Sequence, residues 1–267
     1  MKLFVKFGEK KYIDRIFLYN RYYFSCAKRY HDIETAQQIK GQGDKTEACM
    51  VAHASNVVLE AGGIQRSFSD VDTNILLSQS ARLPVFCITQ VDTERDCVEE
   101  NGLFRLSHHL EDVIRSHFPK ADTALIIFDF KLFIDCFTQQ LGVVEHELVR
   151  YVPKDSRGIT KEWAEAVSRP VEFEEYSKKV NQSTMGMRFE LDNQPTTYRL
   201  VDDKAKTLAL FCKDPFFQDE QEYRFVLRNK TIPVGSDGKE FTVRFPKFKM
   251  KEMPLDQLFH QYSFHRG

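Results

Sequence analysis

Apolar and polar positions alternate from the start of the chain. In KLFVKF (2–7), Leu3, Val5 and Phe7 share one parity, which predicts a short strand. EKKYIDRIFLYN (9–20) follows with Tyr12, Ile13, Ile16 and Phe17 at helical spacing, and RYYFSC (21–26) returns to a strand pattern. The same alternation of elements recurs further on. RLSHHLEDVIRSHF (105–118) sets Leu106, Leu110, Val113, Ile114 and Phe118 along one helical stripe. TALIIFDF (123–130) reads as a buried strand, KLFIDCFTQQL (131–141) as a helix and VVEHELVRYV (143–152) as a strand. Residues 153–170 carry Pro153, Gly158 and Pro170, which predicts loops with one short helix. Beyond residue 171 the pattern is mostly β: TLALFCK (207–213), EYRFVLR (222–228) and EFTVRF (240–245), with a Gly-Ser-Asp-Gly turn between the last two. Strands at both ends separated by helices predict an α+β fold. We expect a single domain over 1–267, built on one mixed sheet in two halves.

Composition changes this picture in two places. The chain has 23 Phe and 10 Tyr against one Trp, so it carries an aromatic core and rings to spare for stacking. The net charge is −1, yet residues 1–30 concentrate Lys2, Lys6, Lys10, Lys11, Arg15, Arg21, Lys28 and Arg29 against Glu9 and Asp14 alone. A smaller basic run, Lys247, Lys249 and Lys251, lies near the end. Such stretches serve either as phosphate-binding surfaces or as solvated faces. Six scattered cysteines lack paired metal spacing, which fits buried thiols in a reducing cytoplasm. No run approaches the ~18 apolar residues of a membrane span, and no leader pattern opens the chain, so a soluble, cytoplasmic protein is expected.

Several chemistries find no support. There is no phosphate-binding G-x-x-x-x-G-K-[ST] loop, no G-x-S-x-G elbow and no H-E-x-x-H. GQGDKTE (41–47) lacks the third glycine of a dinucleotide loop. His108 and His109 are adjacent on a helix and diverge by about 100°, a poor start for a metal site. Asp129 and Asp135 have no recognisable partners. No metal is expected.

What remains is FFQDEQEYRFVLR (216–228). In a strand that begins by residue 220, Glu220, Glu222 and Arg224 point to one face. Two carboxylates that close raise at least one pKa. The bland reading is a solvated ion-pair ladder at a strand end, where pairs contribute only tenths of a kcal/mol. The other reading is a pair of catalytic acids.

Three segments together resemble a group of bacterial proteins that open with a short strand, a helix and a YFS-type strand. They then carry an R-G-D-x-x-E segment and end on F-x-K-x-x-x-F-x-x-[QE]-x-E-[YW]-R. Here the pieces are residues 3–34, GQGDKTE with Gly43, Asp44 and Glu47 retained and Gln42 where arginine is usual, and FCKDPFFQDEQEYRFVL (211–227). The arrangement is similar to the ADP-ribosyltransferase fold, a split mixed β-sheet core with flanking helices. The resemblance implies that Lys6 and Phe7 lie on the first, adenosine-binding strand, with Lys6 standing where Arg or His is usual. Tyr23 and Ser25 would line the nicotinamide pocket, and NQSTMG (181–186) is a faint echo of that fold's S-T-S motif. Glu222 would be the catalytic acid of the [QE]-x-E motif and Glu220 its partner.

That resemblance implies NAD+ as the substrate and ADP-ribose transfer to a macromolecule as the reaction. Glu222 would stabilise the oxocarbenium-like transition state and Glu220 would take a proton from the nucleophile. Arg224 would hold Glu222 or meet a diphosphate oxygen. The basic, aromatic opening favours RNA or single-stranded DNA as acceptor, with protein as the alternative. A toxin or phage-defence effector of this kind implies a neutralising antitoxin partner and no membrane. Two other functions stay open at this point: an NAD+ glycohydrolase, and a non-catalytic nucleic-acid-binding module.

Overall fold

The computed structural model describes residues 2–37, 43–44, 47–61, 64–76, 80–152, 169–170, 186–191, 194–199, 207, 209–245 and 249–265. In chain order its first strands are β1 (Lys2–Gly8), β2 (Arg21–Cys26), β3 (Cys49–Ala61), β4 (Ile64–Leu76), β5 (Pro84–Asp92) and β6 (Cys97–Glu100). Next come β7 (Leu103–Leu106), β8 (Thr123–Ile127), β9 (Val144–Leu148), β10 (Arg150–Tyr151), β11 (Arg169–Pro170) and β12 (Gly186–Leu191). The last are β13 (Gln194–Arg199), β14 (Cys212–Lys213), β15 (Glu222–Leu227), β16 (Gly238–Thr242), β17 (Met250–Pro254) and β18 (Phe264–His265). The helices are α1 (Lys10–Tyr19), α2 (Ala27–Gln37), α3 (Thr93–Asp96), α4 (His108–His117), α5 (Phe130–Leu141) and α6 (Leu255–His260). The architecture is α+β. No helix among the described residues is long and apolar enough to cross a membrane.

The chain divides into two compact units. The first joins residues 1–45, 82–149 and 216–267; the second joins 46–81 and 150–215. The second unit carries a five-stranded sheet in the order β11-β13-β12-β3-β4, dominated by the long β3–β4 hairpin, and a short parallel pair, β10–β14.

The first unit is built on an eight-stranded sheet whose described pairings are all antiparallel, where a mixed sheet was expected. Its centre is β5. One side of β5 pairs with β15, from Glu222↔Thr89 to Val226↔Val85, and β15 pairs onward with β9. The other side is shared: β1 takes Thr89 to Asp92, and β2 takes Pro84 and Val85. The sheet therefore forks at Phe86–Ile88, with β1-β8-β17 on one arm and β2-β16 on the other. Nothing in the alternation of 84–92 marks it as a centre. PVFCITQVD is nearly continuous in burial, as a strand paired on both edges and covered on both faces must be.

Strand parity then sorts the side chains. Phe4, Tyr22, Phe24, Phe86, Ile88, Phe225 and Leu227 point to one face, where α1 adds Ile13 and Ile16 and α5 adds Phe133, Phe137 and Leu141. Phe137 alone lies edge-on to Tyr22 at 5.0 Å and tilted against Phe133 at 4.5 Å and Phe225 at 5.1 Å. Seven phenylalanines are buried in this core. On the other face Val5, Phe7, Val91, Ala124 and Ile126 meet Leu110 and Ile114 of α4 and Leu258 and Phe259 of α6. A small sheet, β6-β7-β18, completes the unit.

Some elements differ from the sequence expectations. Residues 207–213 do not form one strand: Ala209–Phe211 is a 3-10 turn, and only Cys212–Lys213 pairs. β15 and β16, adjacent in sequence across the Gly235 turn, do not pair with each other but sit on opposite sides of β5 and β2. The short helix expected within 153–170 and most of NQSTMG lie outside the described residues.

Candidate functional site

The site is set by parity on β5 and β15. With Phe86, Ile88, Phe225 and Leu227 committed to the aromatic core, Cys87, Thr89, Glu222 and Arg224 must face the opposite side. The register puts Arg224 opposite Cys87 and Glu222 opposite Thr89. Arg224 is 1 % exposed and Glu222 6 %, and Arg224 Nε donates to Glu222 Oε1 at 2.6 Å. A guanidinium that buried requires a paired acid, because an uncompensated charge there would cost several kcal/mol.

Three further groups join them. Lys6 of β1 reaches into the fork, where its Nζ donates to the Cys87 carbonyl at 2.7 Å and lies 5.1 Å above the Phe86 ring. It thereby satisfies a carbonyl at the point where β1 has left β5 and β2 has not yet reached it. Burial pushes the Lys6 ammonium below its usual pKa of 10.5, and the Cys87 thiol and Glu222 pull it back up. Tyr30 of α2 is hydrogen-bonded to Ser25 of β2 and lies within the fields of Cys87, Glu222 and Arg224; burial pushes its phenol well up. Burial also pushes the Cys87 thiol well up, and Glu222 adds to the effect against Arg224 and Lys6. A raised thiol pKa makes Cys87 a poor nucleophile. Lys6, Ser25, Tyr30, Cys87, Glu222 and Arg224 form one polar cluster.

Gly43 and Asp44 brace this cluster from behind. Asp44 N donates to the Tyr30 carbonyl at 3.1 Å, and a Cβ on Gly43 would stand 2.5 Å from Glu34 N and 2.7 Å from Tyr30 O. The close approach requires glycine. Glu47, the third retained residue of that segment, belongs to the second unit.

The expected site residues separate. Lys6, Ser25, Glu222 and Arg224 converge. Phe7 does not: although it lies on the same sheet face as Glu222, it is 6 % exposed and stacks on Phe259 in the core of that face. Tyr23 lies on the β2 face away from the aromatic core, 39 % exposed, hydrogen-bonded to Arg29 and laid across Gly238. Phe24, between Tyr23 and Ser25, is fully buried among Phe86, Phe137 and Phe241.

Glu220 does not share a strand face with Glu222. β15 begins at Glu222; Glu220 ends a 3-10 helix, Pro215–Glu220, and Gln221 between them has φ +44°. A left-handed residue reverses the local direction, so the parity argument fails there. Glu220 instead accepts from His117 Nδ1 at 2.9 Å, at the end of α4. Tyr30, Cys87 and His117 were not anticipated. Only the FSC-to-helix junction hinted at Tyr30, and nothing in the spacing linked His117 to Glu220.

The basic opening is largely neutralised by its own neighbours. Lys10 pairs with Asp14 and Glu252, Lys11 with Glu9, Arg15 and Arg21 with Glu240, and Lys28 with Asp32. Aromatic rings remain outside: Tyr12 is 48 % exposed and Tyr19 62 %, and Lys11 and Arg15 sit over Tyr12. At the other basic run, Lys249 is 3.8 Å from Asp129, Lys251 lies over Tyr262, and Lys247 is outside the described residues. Compared with models of known protein families, with curated proteins and with solved structures, the chain finds no match.

Proposed function

We propose that this chain is an NAD+-dependent ADP-ribosyltransferase, a cytoplasmic toxin or defence effector with the α+β core of that enzyme class. The observation that carries the reading is Glu222, a buried carboxylate at the first position of β15, fixed by Arg224 and ringed by Lys6, Ser25, Tyr30 and Cys87. A sheet interior does not need such a cluster for packing, and an ionic pair there is at best neutral for stability. A preorganised carboxylate is what cleavage of the nicotinamide–ribose bond does need. Positive charge develops at C1′ as the bond breaks, and an acid held on the ribose 2′-OH stabilises it.

The other residues take roles around that one. Arg224 fixes the Glu222 side chain. Lys6 holds the fork open at Cys87 and sets the local field. Tyr30, hydrogen-bonded to Ser25, offers a hydroxyl near Glu222, and Tyr23 offers an exposed ring for stacking. The acceptor is a macromolecule. The exposed rings of Tyr12, Tyr19 and Tyr23 favour RNA or single-stranded DNA over protein, since stacking is tolerant of sequence and needs little net charge. A neutralising protein partner belongs to this reading.

The test is incubation with labelled NAD+ and, separately, total RNA, single-stranded DNA and cell lysate, with Glu222→Gln as control. Label on one acceptor class is expected with wild type, reduced at least ~100-fold by Glu222→Gln, and expression of the wild type alone should arrest growth. Free nicotinamide without labelled acceptor would make the protein a glycohydrolase. Salt-sensitive nucleic-acid binding indifferent to Glu222→Gln, with NAD+ untouched, would make it a binding module and end the enzymatic reading.

A further inference from the structure

We propose that His117 is the general base of this reaction, taking the proton from the acceptor nucleophile, with Glu220 as its positioning residue. The proposal rests on the transferase reading above. An acceptor hydroxyl, ring nitrogen or water must lose a proton as it bonds to C1′. Glu222 is engaged with Arg224 and, in that reading, with the ribose. Glu220, the other acid of the motif, is committed to His117.

The geometry is that of an oriented imidazole. His117 Nδ1 donates to Glu220 Oε1 at 2.9 Å, and the side chains are 12 % and 5 % exposed. With Nδ1–H fixed by a carboxylate, the lone pair resides on Nε2, the arrangement that makes a histidine a base. No described residue is hydrogen-bonded to Nε2. The ring is clamped by Phe216, stacked at 5.2 Å and 13°, and by Phe217, edge-on at 6.0 Å.

The link to Glu222 is equally fixed. Only Gln221 separates the two acids, and its carbonyl accepts from Gln90 N at 2.8 Å while its side chain donates to Gln218 O at 2.5 Å. Its φ of +44° is an uncommon conformation for a residue other than glycine. That turn is what withdraws Glu220 from the strand face and delivers it to the imidazole, two residues from the carboxylate assigned to the ribose.

The step balances as follows. The C1′–N bond to nicotinamide breaks, and its electron pair leaves on the ring nitrogen, which becomes neutral. The acceptor's lone pair forms the new bond to C1′. Its proton moves to His117 Nε2, and the resulting imidazolium is stabilised by the Glu220 carboxylate until water removes the proton. A purely structural pair, in which His117 caps the C-terminus of α4, would need none of this.

Three measurements separate the two roles. In the intact protein, long-range nitrogen–proton correlation spectra should show His117 as the Nδ1–H tautomer, and Glu220→Gln should lose that preference. His117→Asn should keep the fold by circular dichroism and reduce turnover of NAD+ about 10²–10⁴-fold. His117→Gly should regain turnover with added free imidazole, a rescue that a structural role does not produce. An Nε2–H tautomer, or Glu222-dependent turnover that His117→Asn leaves unchanged, would overturn this inference alone. Absence of any Glu222-dependent turnover in wild type would remove the transferase reading and this inference with it.

Discussion

Single residues in this protein are placed by their position on a strand, and a one-position shift decides whether a side chain joins an apolar core or the polar cluster. Lys6 and Phe7 are neighbours on β1, yet one reaches Cys87 in the fork and the other stacks on Phe259. His146 shows the same rule on β9. It turns towards Tyr223 and Phe225, with Nδ1 at 2.8 Å from the Tyr223 hydroxyl. Burial lowers its pKa from the ordinary 6.5, with Glu147 acting weakly the other way. The unfolded chain therefore takes up this proton before the folded one does. The contribution of His146 is complete above pH 6.5 and is lost as the pH falls through its lower folded value. Thermal melts at about pH 7.5 and about pH 5 should show a smaller acid loss in His146→Phe than in wild type. An equal loss in both would mean that the ring titrates as it does in water.

At the scale of elements, the edges of the sheet are more instructive than its centre. Among the described residues β16 pairs only with β2, and Gly238 sits opposite Ser25, where a Cβ would run into the Phe24 carbonyl and stand 2.5 Å from the Tyr23 ring. Gly238→Ala should push β16 off β2, costing about 1–3 kcal/mol. For a unit of this size that lowers the melting temperature by roughly 2–12 °C, and amide exchange at residues 21–26 should quicken. Melting and exchange like wild type would show that the Tyr23 ring simply moves aside. The same element logic explains what could be read in advance. α1, α4 and α5 stand out because each has one apolar stripe at helical spacing, and β1, β2 and β8 because they are short apolar-rich runs set between those helices. β5 does not, because a strand flanked on both edges and covered on both faces has no polar face to alternate with. The cluster followed suit: Glu222 and Arg224 were visible as charges in an apolar run, whereas Cys87 and Tyr30 look like ordinary core residues until β5 is known to be central. Glu220 was misplaced because a helical turn and one left-handed residue replaced the strand that its spacing suggested.

At the scale of the whole molecule, the first unit is sewn from three separate stretches of chain, and its last stretch is indispensable. β17 covers the free edge of β8, and Met250, Met253, Leu255, Leu258 and Phe259 are all buried. At about 2 kcal/mol per buried side chain, their loss costs roughly 10 kcal/mol, as much as the entire stability of an ordinary domain. A chain ending at residue 249 should accumulate in inclusion bodies, and any soluble fraction should lack near-ultraviolet ellipticity. Recovery of a soluble, cooperatively melting protein would show that the sheet closes without β17.

The forked sheet also carries a consequence for the cell that makes it. Lys6, Ser25, Tyr30 and Cys87 leave the ribosome early and wait on β15, which is among the last strands to be synthesised. The cluster around Glu222 cannot close until β15 has been synthesised, and a fragment released before residue 222 lacks the carboxylate that the other four residues surround.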